Sequence, residues 1–150
     1  MRAVIQRVAK ARVEIGGECC GEIGLGLVVF LGVARDDAEC DCEWLGEKIA
    51  ALRIFPDEGG RMNRSICESG GGALVVSQFT LLASLAKGTR PSFNAAAKAE
   101  TAAPLYEAFL ARLAAALGRP VAAGRFGADM KIALVNDGPV TILLDSKRRD

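Results

Sequence analysis

Apolar and polar residues alternate with a period of two at the start of the chain. Over 3–8, Ala3, Ile5 and Arg7 fall on one side and Val4, Gln6 and Val8 on the other, and a second alternating stretch covers 11–15. Gly16-Gly17 follows at once, and paired glycines after such a run signal a hairpin. Residues 26–33 (GLVVFLGV) form an almost unbroken apolar run that begins with glycine, which suits a central strand buried on both faces. The period then changes. Asp36 and Glu39 have capping-box spacing, and Trp44, Leu45, Ile49 and Leu52 recur at helical intervals, so a helix is predicted over 37–53.

Residues 56–64, with Gly59-Gly60, read as a loop, and Gly70-Gly71-Gly72 launches an apolar strand over 73–81 that ends in polar residues. The segment 94–117 is alanine-rich. Pro104 stands there as a first-turn proline for a helix carrying Leu105, Phe109, Leu110, Leu113 and Leu117, with Gly118 as its C-cap. Three short strands are expected at 121–126, 131–136 and 140–144. Strands outnumber helices and do not alternate with them. The pattern therefore predicts an α/β chain of the α+β kind, with a mixed, largely antiparallel sheet, curled or barrel-like, and two main helices.

Composition narrows this to one domain over 1–150, since 150 residues at 51% hydrophobic supply one substantial core and no repeat or linker interrupts them. Nineteen basic against eighteen acidic residues leave a net charge of +1, so any nucleic-acid contact must be local. The start carries Gln6 and Arg7 where a signal peptide would be apolar, and no run is long enough to span a bilayer, which points to a protein neither secreted nor embedded in a membrane. The five cysteines, Cys19, Cys20, Cys40, Cys42 and Cys67, are odd in number and lack C-x-x-C spacing, as reduced structural thiols do. A zinc site on Cys40 and Cys42 is disfavoured by the one-residue spacer and the lack of histidine.

That lack shapes the chemistry most. Without histidine the chain has neither Ser-His-Asp nor Cys-His activation, and it must use backbone donors, hydroxyls, amides, carboxylates, lysine or a group of the substrate. On a continuing strand Gln78 and Thr80 would share one face and Ser77 and Phe79 the other, either bonding a neighbouring strand or lining a site. Asn136-Asp137-Gly138-Pro139 between two apolar strands reads as a hairpin turn. Lys87, Arg90 and Phe93 lie on a turn-rich segment that is either a cradle for phosphate and a stacked base or a solvated loop. Lys147-Arg148-Arg149 would add phosphate contacts or form a solubilising end.

Four segments in one order, MRAVIQRV at 1–8, SQFTL at 77–81, KGTRPSF at 87–93 and NDGPVT at 136–141, closely resemble D-aminoacyl-tRNA deacylases. The resemblance implies a cytoplasmic homodimeric esterase, without metal or cofactor, that cleaves D-amino acids or glycine from the 3′ end of aminoacyl-tRNA. It implies that Ser77, Gln78, Phe79 and Thr80 line the pocket, with the Phe79 N–H a donor to the oxyanion and Thr80 positioning substrate or water. It further implies a cis Gly138–Pro139 peptide that enters the partner's site as a chiral filter, with Arg7 holding the loop and Asn136 beside it. Lys87, Arg90 and Phe93 would then meet tRNA. Two other readings stand beside this one: a binding module for tRNA ends without turnover, and a structural domain whose Gly-Pro segment is only a turn at a dimer contact.

Overall fold

The computed structural model describes residues 1–149. Its first strand, β1 (Arg2–Ile15), joins the two alternating stretches into one element, and β2 (Glu18–Ile23) returns along its second half. Gly16 and Gly17, with φ of 58° and 83°, make the tight turn, whose two positive φ values only glycine adopts without strain. β3 (Gly26–Gly32) pairs antiparallel with the first half of β1 and is the central strand expected.

Helix α1 (Glu39–Ala51) is shorter than the predicted helix, and its cap lies two residues later than expected. Asp41 accepts the Ala38 N–H at 2.9 Å, while Asp37 accepts the Ala34 N–H at 2.6 Å and the Met1 amino group, and Asp36 stays exposed. The expected loop at 56–64 holds a small hairpin, β4 (Phe55–Pro56) with β5 (Met62–Arg64), followed by a single turn, α2 (Ile66–Ser69). Ser65 and Glu68 cap that turn reciprocally, a Ser-x-x-Glu signature already present in the sequence.

β6 (Gly72–Ser77) runs parallel to β3, and a 3-10 turn (Phe79–Leu82) replaces the last part of the strand predicted over 73–81. α3 (Ala99–Leu117) begins five residues before Pro104, so that proline lies inside the helix. Pro104 cannot bond the Glu100 carbonyl, but both residues are solvent-exposed, so water meets the orphaned group. Of the strand expected at 121–126 only β7 (Ala122–Ala123) pairs, parallel to β6.

The last two predicted strands are one, β8 (Lys131–Asp145), antiparallel to the whole of β1. The sheet order is β2-β1-β3-β6-β7, with β8 on the other side of β1. A Cβ on Gly21 would lie 3.1 Å from the Ala123 carbonyl, so β2 curls against β7 and almost closes the sheet.

Curling gives two cores. Ile5, Leu27, Val29, Leu31 and Val75 pack on Leu45, Ile49, Tyr106, Phe109 and Leu113 of the helices. Val28, Leu74 and Val76, on the opposite face of β3 and β6, pack with Val8, Ala11 and Val13 from the second half of β1. Burying both faces of β3 and β6 is what their continuous apolar runs encode.

Candidate active site

The parallel strands β3 and β6 end side by side, Leu31 opposite Ser77. There the Gln78 N–H donates to the Leu31 carbonyl at 2.7 Å, and Gln78, at φ −145° and ψ 77°, turns the chain out of the sheet. Ser77 and Phe79 therefore do not share a strand face as expected. Gln78 and Thr80 nevertheless meet, because the Gln78 amide donates to the Thr80 hydroxyl across the turn. Among the described residues the N–H groups of Phe79 and Thr80 have no acceptor, so both are available to a ligand.

Two contacts seat this turn. Gly32 lets it close on β3, since a Cβ there would stand 2.4 Å from the Leu82 side chain and 3.0 Å from the Gln78 carbonyl. The Arg2 guanidinium donates to the Leu81 carbonyl at 2.8 Å and twice to Asp145 at 3.1 Å, tying the turn to β1 and β8.

Beside the turn lies a cleft of about 390 Å³. Ser77, Gln78 and Phe79 form one wall, Ala102 and Tyr106 of α3 another, and Phe126 and Met130 reach in from the segment before β8. Tyr106 is its only phenol and is spoken for: the hydroxyl donates to the Val75 carbonyl at 3.1 Å, and burial pushes its pKa well above the usual value. Among the described residues no Asp, Glu, Lys, Arg or Cys lines the cleft. Its polar equipment is a serine hydroxyl, a glutamine amide and main-chain groups.

Phe79 is 57% exposed and meets the edge of Phe93 with ring centroids 5.0 Å apart. The loop between them is closed by Ser84 and Ser92, whose main chains exchange bonds of 2.8 and 2.9 Å. Lys87 and Arg90 stand exposed on that loop, away from the cleft lining.

The Asn136-Asp137-Gly138-Pro139 segment is not the hairpin turn expected. β8 continues in the same direction on both sides, with Gln6 opposite Thr141 and Val8 opposite Asn136, and residues 137–140 are extruded from the ladder. The Asn136 amide closes the base of this loop, donating to the Arg7 carbonyl at 2.9 Å and to the Val140 carbonyl at 3.0 Å. Arg7, its side chain 11% exposed, donates to the carbonyls of Asp137 at 3.1 Å and Ile54 at 2.6 Å and pairs with the Asp137 carboxylate at 3.2 Å. The Gly138–Pro139 peptide is cis. Both residues are exposed, and neither lines the cleft of its own chain.

The tail is better anchored than a solubilising end. Lys147 donates to Asp41 at 2.9 Å and to the Asp36 carbonyl at 3.0 Å, and the Arg149 guanidinium lies 4.9 Å from the Trp44 ring centre. Asp41 is buried, which alone would raise its pKa, but the Lys147 ammonium, the Ser146 hydroxyl and the Ala38 N–H outweigh burial and hold it at about 2.

Sequence reasoning missed Tyr106, Phe126 and Met130, which reach the cleft from distant parts of the chain. It also missed Arg2, whose only signal was its place at the head of the first motif.

A family model described as D-Tyr-tRNA(Tyr) deacylase matches residues 4–145. The chain belongs to this family. A curated D-aminoacyl-tRNA deacylase of Opitutus terrae is 62% identical over the full length of both chains, and one of Akkermansia muciniphila is 55% identical, again over both full lengths. Among solved structures, the c-Myc DNA Unwinding Element Binding Protein superposes with a TM-score of 0.92 at 41% identity, covering 97% of this chain and 98% of that one. A structure described as a probable eukaryotic D-amino acid tRNA deacylase matches at a TM-score of 0.82 over 95% and 97% of the two chains, and at 17% identity it speaks for the fold alone. The resemblance drawn from four motifs thus extends over nearly the whole chain, and the deacylase fold is the curled mixed sheet expected from the pattern. Among the described residues no helix is long and apolar enough to cross a membrane.

Proposed function

We propose that this chain is a D-aminoacyl-tRNA deacylase, a hydrolase that cleaves the ester between a D-amino acid, or glycine, and the terminal ribose of tRNA. The observation that carries the reading is the furnishing of the cleft. It holds Ser77, Gln78 and free main-chain N–H groups but no side chain that titrates near neutral pH. An aminoacyl ester on ribose carries a vicinal hydroxyl able to move the proton, so such a site needs mainly to orient the ester and stabilise charge. The Phe79 N–H is the oxyanion donor, and the Gln78–Thr80 pair positions substrate or water at the rim.

Chirality is read by shape. Gly138 and Pro139 are exposed on a braced loop that does not face its own cleft, which favours their entering the cleft of a second copy. Their main-chain oxygens would there exclude an L side chain and pass glycine, which has none. The outer edge of β8, which pairs with no strand among the described residues and carries Val135 at 47% exposed, suits a homodimer contact. Phe93, Lys87 and Arg90 are placed for the tRNA end that leaves the cleft, and proofreading of this kind belongs in the cytoplasm, where tRNA is charged.

The test is hydrolysis of D- and L-tyrosyl-tRNA side by side, each with and without the terminal 2′-hydroxyl. Release of the D-amino acid alone, slowed when the 2′-hydroxyl is removed, is the expected result. Equal cleavage of both enantiomers sinks the filter, binding without turnover sinks the enzyme, and a monomer in sedimentation sinks the shared site.

A further inference from the structure

A protein of net charge +1 that acts on RNA needs a local excess of cations to hold phosphate. Such an excess lies where α1 passes the end of β8. Trp44, Lys48 and Leu52 face Leu143, Leu144 and Arg148 across an open groove of about 610 Å³. The floor is apolar, and Leu143 there is 64% exposed. The rim is cationic: the Lys48 ammonium lies 5.7 Å and the Arg149 guanidinium 4.9 Å from the Trp44 ring centre.

The groove's charge is not cancelled from within. Asp145 is the carboxylate of its lining, and Arg2 occupies it with two hydrogen bonds of 3.1 Å. Among the described residues Lys48, Arg148 and Arg149 enter no ion pair, whereas Lys147 turns away to Asp41 and Asp37. The groove also adjoins the catalytic turn. Arg2, which lines it, donates its remaining contact to the Leu81 carbonyl, two residues beyond Phe79.

We propose that this groove binds phosphates of the tRNA acceptor strand upstream of the terminal nucleotide, with Lys48, Arg148 and Arg149 as the contacts. The inference rests on the deacylase reading. It gives the basic tail a use that the cleft does not, and it supplies affinity through charge rather than base recognition.

The test compares two substrates, D-tyrosyl-tRNA and the D-tyrosyl ester of adenosine, which is too short to reach the groove. Lys48→Ala, Arg148→Ala and Arg149→Ala are assayed singly and combined over a salt series. Lys131→Ala, at the opposite end of β8, controls for loss of one charge. For tRNA the combined variant should raise KM about tenfold at physiological salt with kcat unchanged, and each lost cation should lower the logarithmic salt slope by about 0.7–0.9. The adenosine ester should be cleaved as before.

Unchanged KM and slope overturn the proposal, as does an equal loss on both substrates, which would mean a disturbed catalytic turn. A change of oligomeric state in sedimentation also overturns it and assigns the groove to a second copy. If the parent protein cleaves neither substrate, the deacylase reading itself falls and the groove with it.

Discussion

Asn136 uses both hydrogens of one amide to tie the end of the extruded loop to the facing strand, donating to the Val140 carbonyl at 3.0 Å and to the Arg7 carbonyl of β1 at 2.9 Å. Asn136→Ala removes both of these part-buried bonds and should cost about 1–3 kcal/mol of stability. If the loop is the chiral filter, the ratio of D- to L-tyrosyl-tRNA hydrolysis falls as well, and an unchanged ratio with a lowered urea midpoint would assign Asn136 to stability alone. The cysteines give a second residue-scale prediction. Burial, reinforced by Asp41 and Asp37, pushes the Cys42 thiol up to about 11, while the other four thiols are exposed. A thiol reagent at neutral pH should label those four in the native protein and the fifth only on unfolding, as counted by mass spectrometry. At this scale the motif residues were legible because short polar runs stand out against an apolar background. The bonds they make were not, since Asn136 bonds the Arg7 carbonyl over a separation of 129 residues, and Arg7 bonds Asp137 over 130 and Ile54 over 47.

Elements were legible where a single period ruled and illegible where geometry interrupted it. The buried strand β3 and the Gly16-Gly17 hairpin followed from pattern alone. The merger of two predicted strands into β8 did not, because Asp-Gly-Pro carries the same signal whether the chain turns back or bulges and runs on. The start of α3 was hidden for a different reason: its N-cap residue, Lys98, offers no side-chain cap, so Pro104 was the only punctuation to read. Glycine contacts give the prediction at this scale. A Cβ at Gly26 would stand 1.9 Å from the Gly72 carbonyl, backbone that cannot rotate away, whereas at Gly32 the nearest atom is the mobile end of Leu82 at 2.4 Å. Gly26→Ala should therefore prevent the parallel β3–β6 pairing and abolish folded protein. Gly32→Ala should fold with a loss of about 1–3 kcal/mol and, if the Phe79–Leu82 turn carries the oxyanion donor as proposed, a lower kcat, because that turn must shift. Circular dichroism melts with the deacylation assay separate the two, and equal behaviour would refute the distinction.

Across the whole molecule the two ends of the chain meet. Met1, Asp37, Asp41, Ser146 and Lys147 form one charged cluster beneath α1. Asp41 sits at about 2 when folded, below its ordinary value near 3.8, so its stabilisation is complete above about pH 4 and is lost as pH falls toward 2. Melting temperature should drop over that window, and Asp41→Asn should be less stable at pH 7 but show a flatter acid limb. A parallel pH profile in the variant would show that another carboxylate governs acid unfolding. The overall architecture was legible as a curled mixed sheet with two main helices. Its division into two cores was not, since that depends on which half of β1 packs against which face of β3 and β6. The extruded loop lies at this division. The pairs from Arg2↔Asp145 to Gln6↔Thr141 keep one register and those from Lys10↔Val135 to Glu14↔Lys131 another, with β8 two residues longer than β1 across the break. Two is the repeat of a strand, so removing two residues from the loop would let the ladder zip straight through with every side chain still on its proper side. The fold thus has a smoother neighbour in sequence space that keeps the strand pairing but loses the protruding tip, together with the Arg7–Asp137 and Asn136 bonds that brace it.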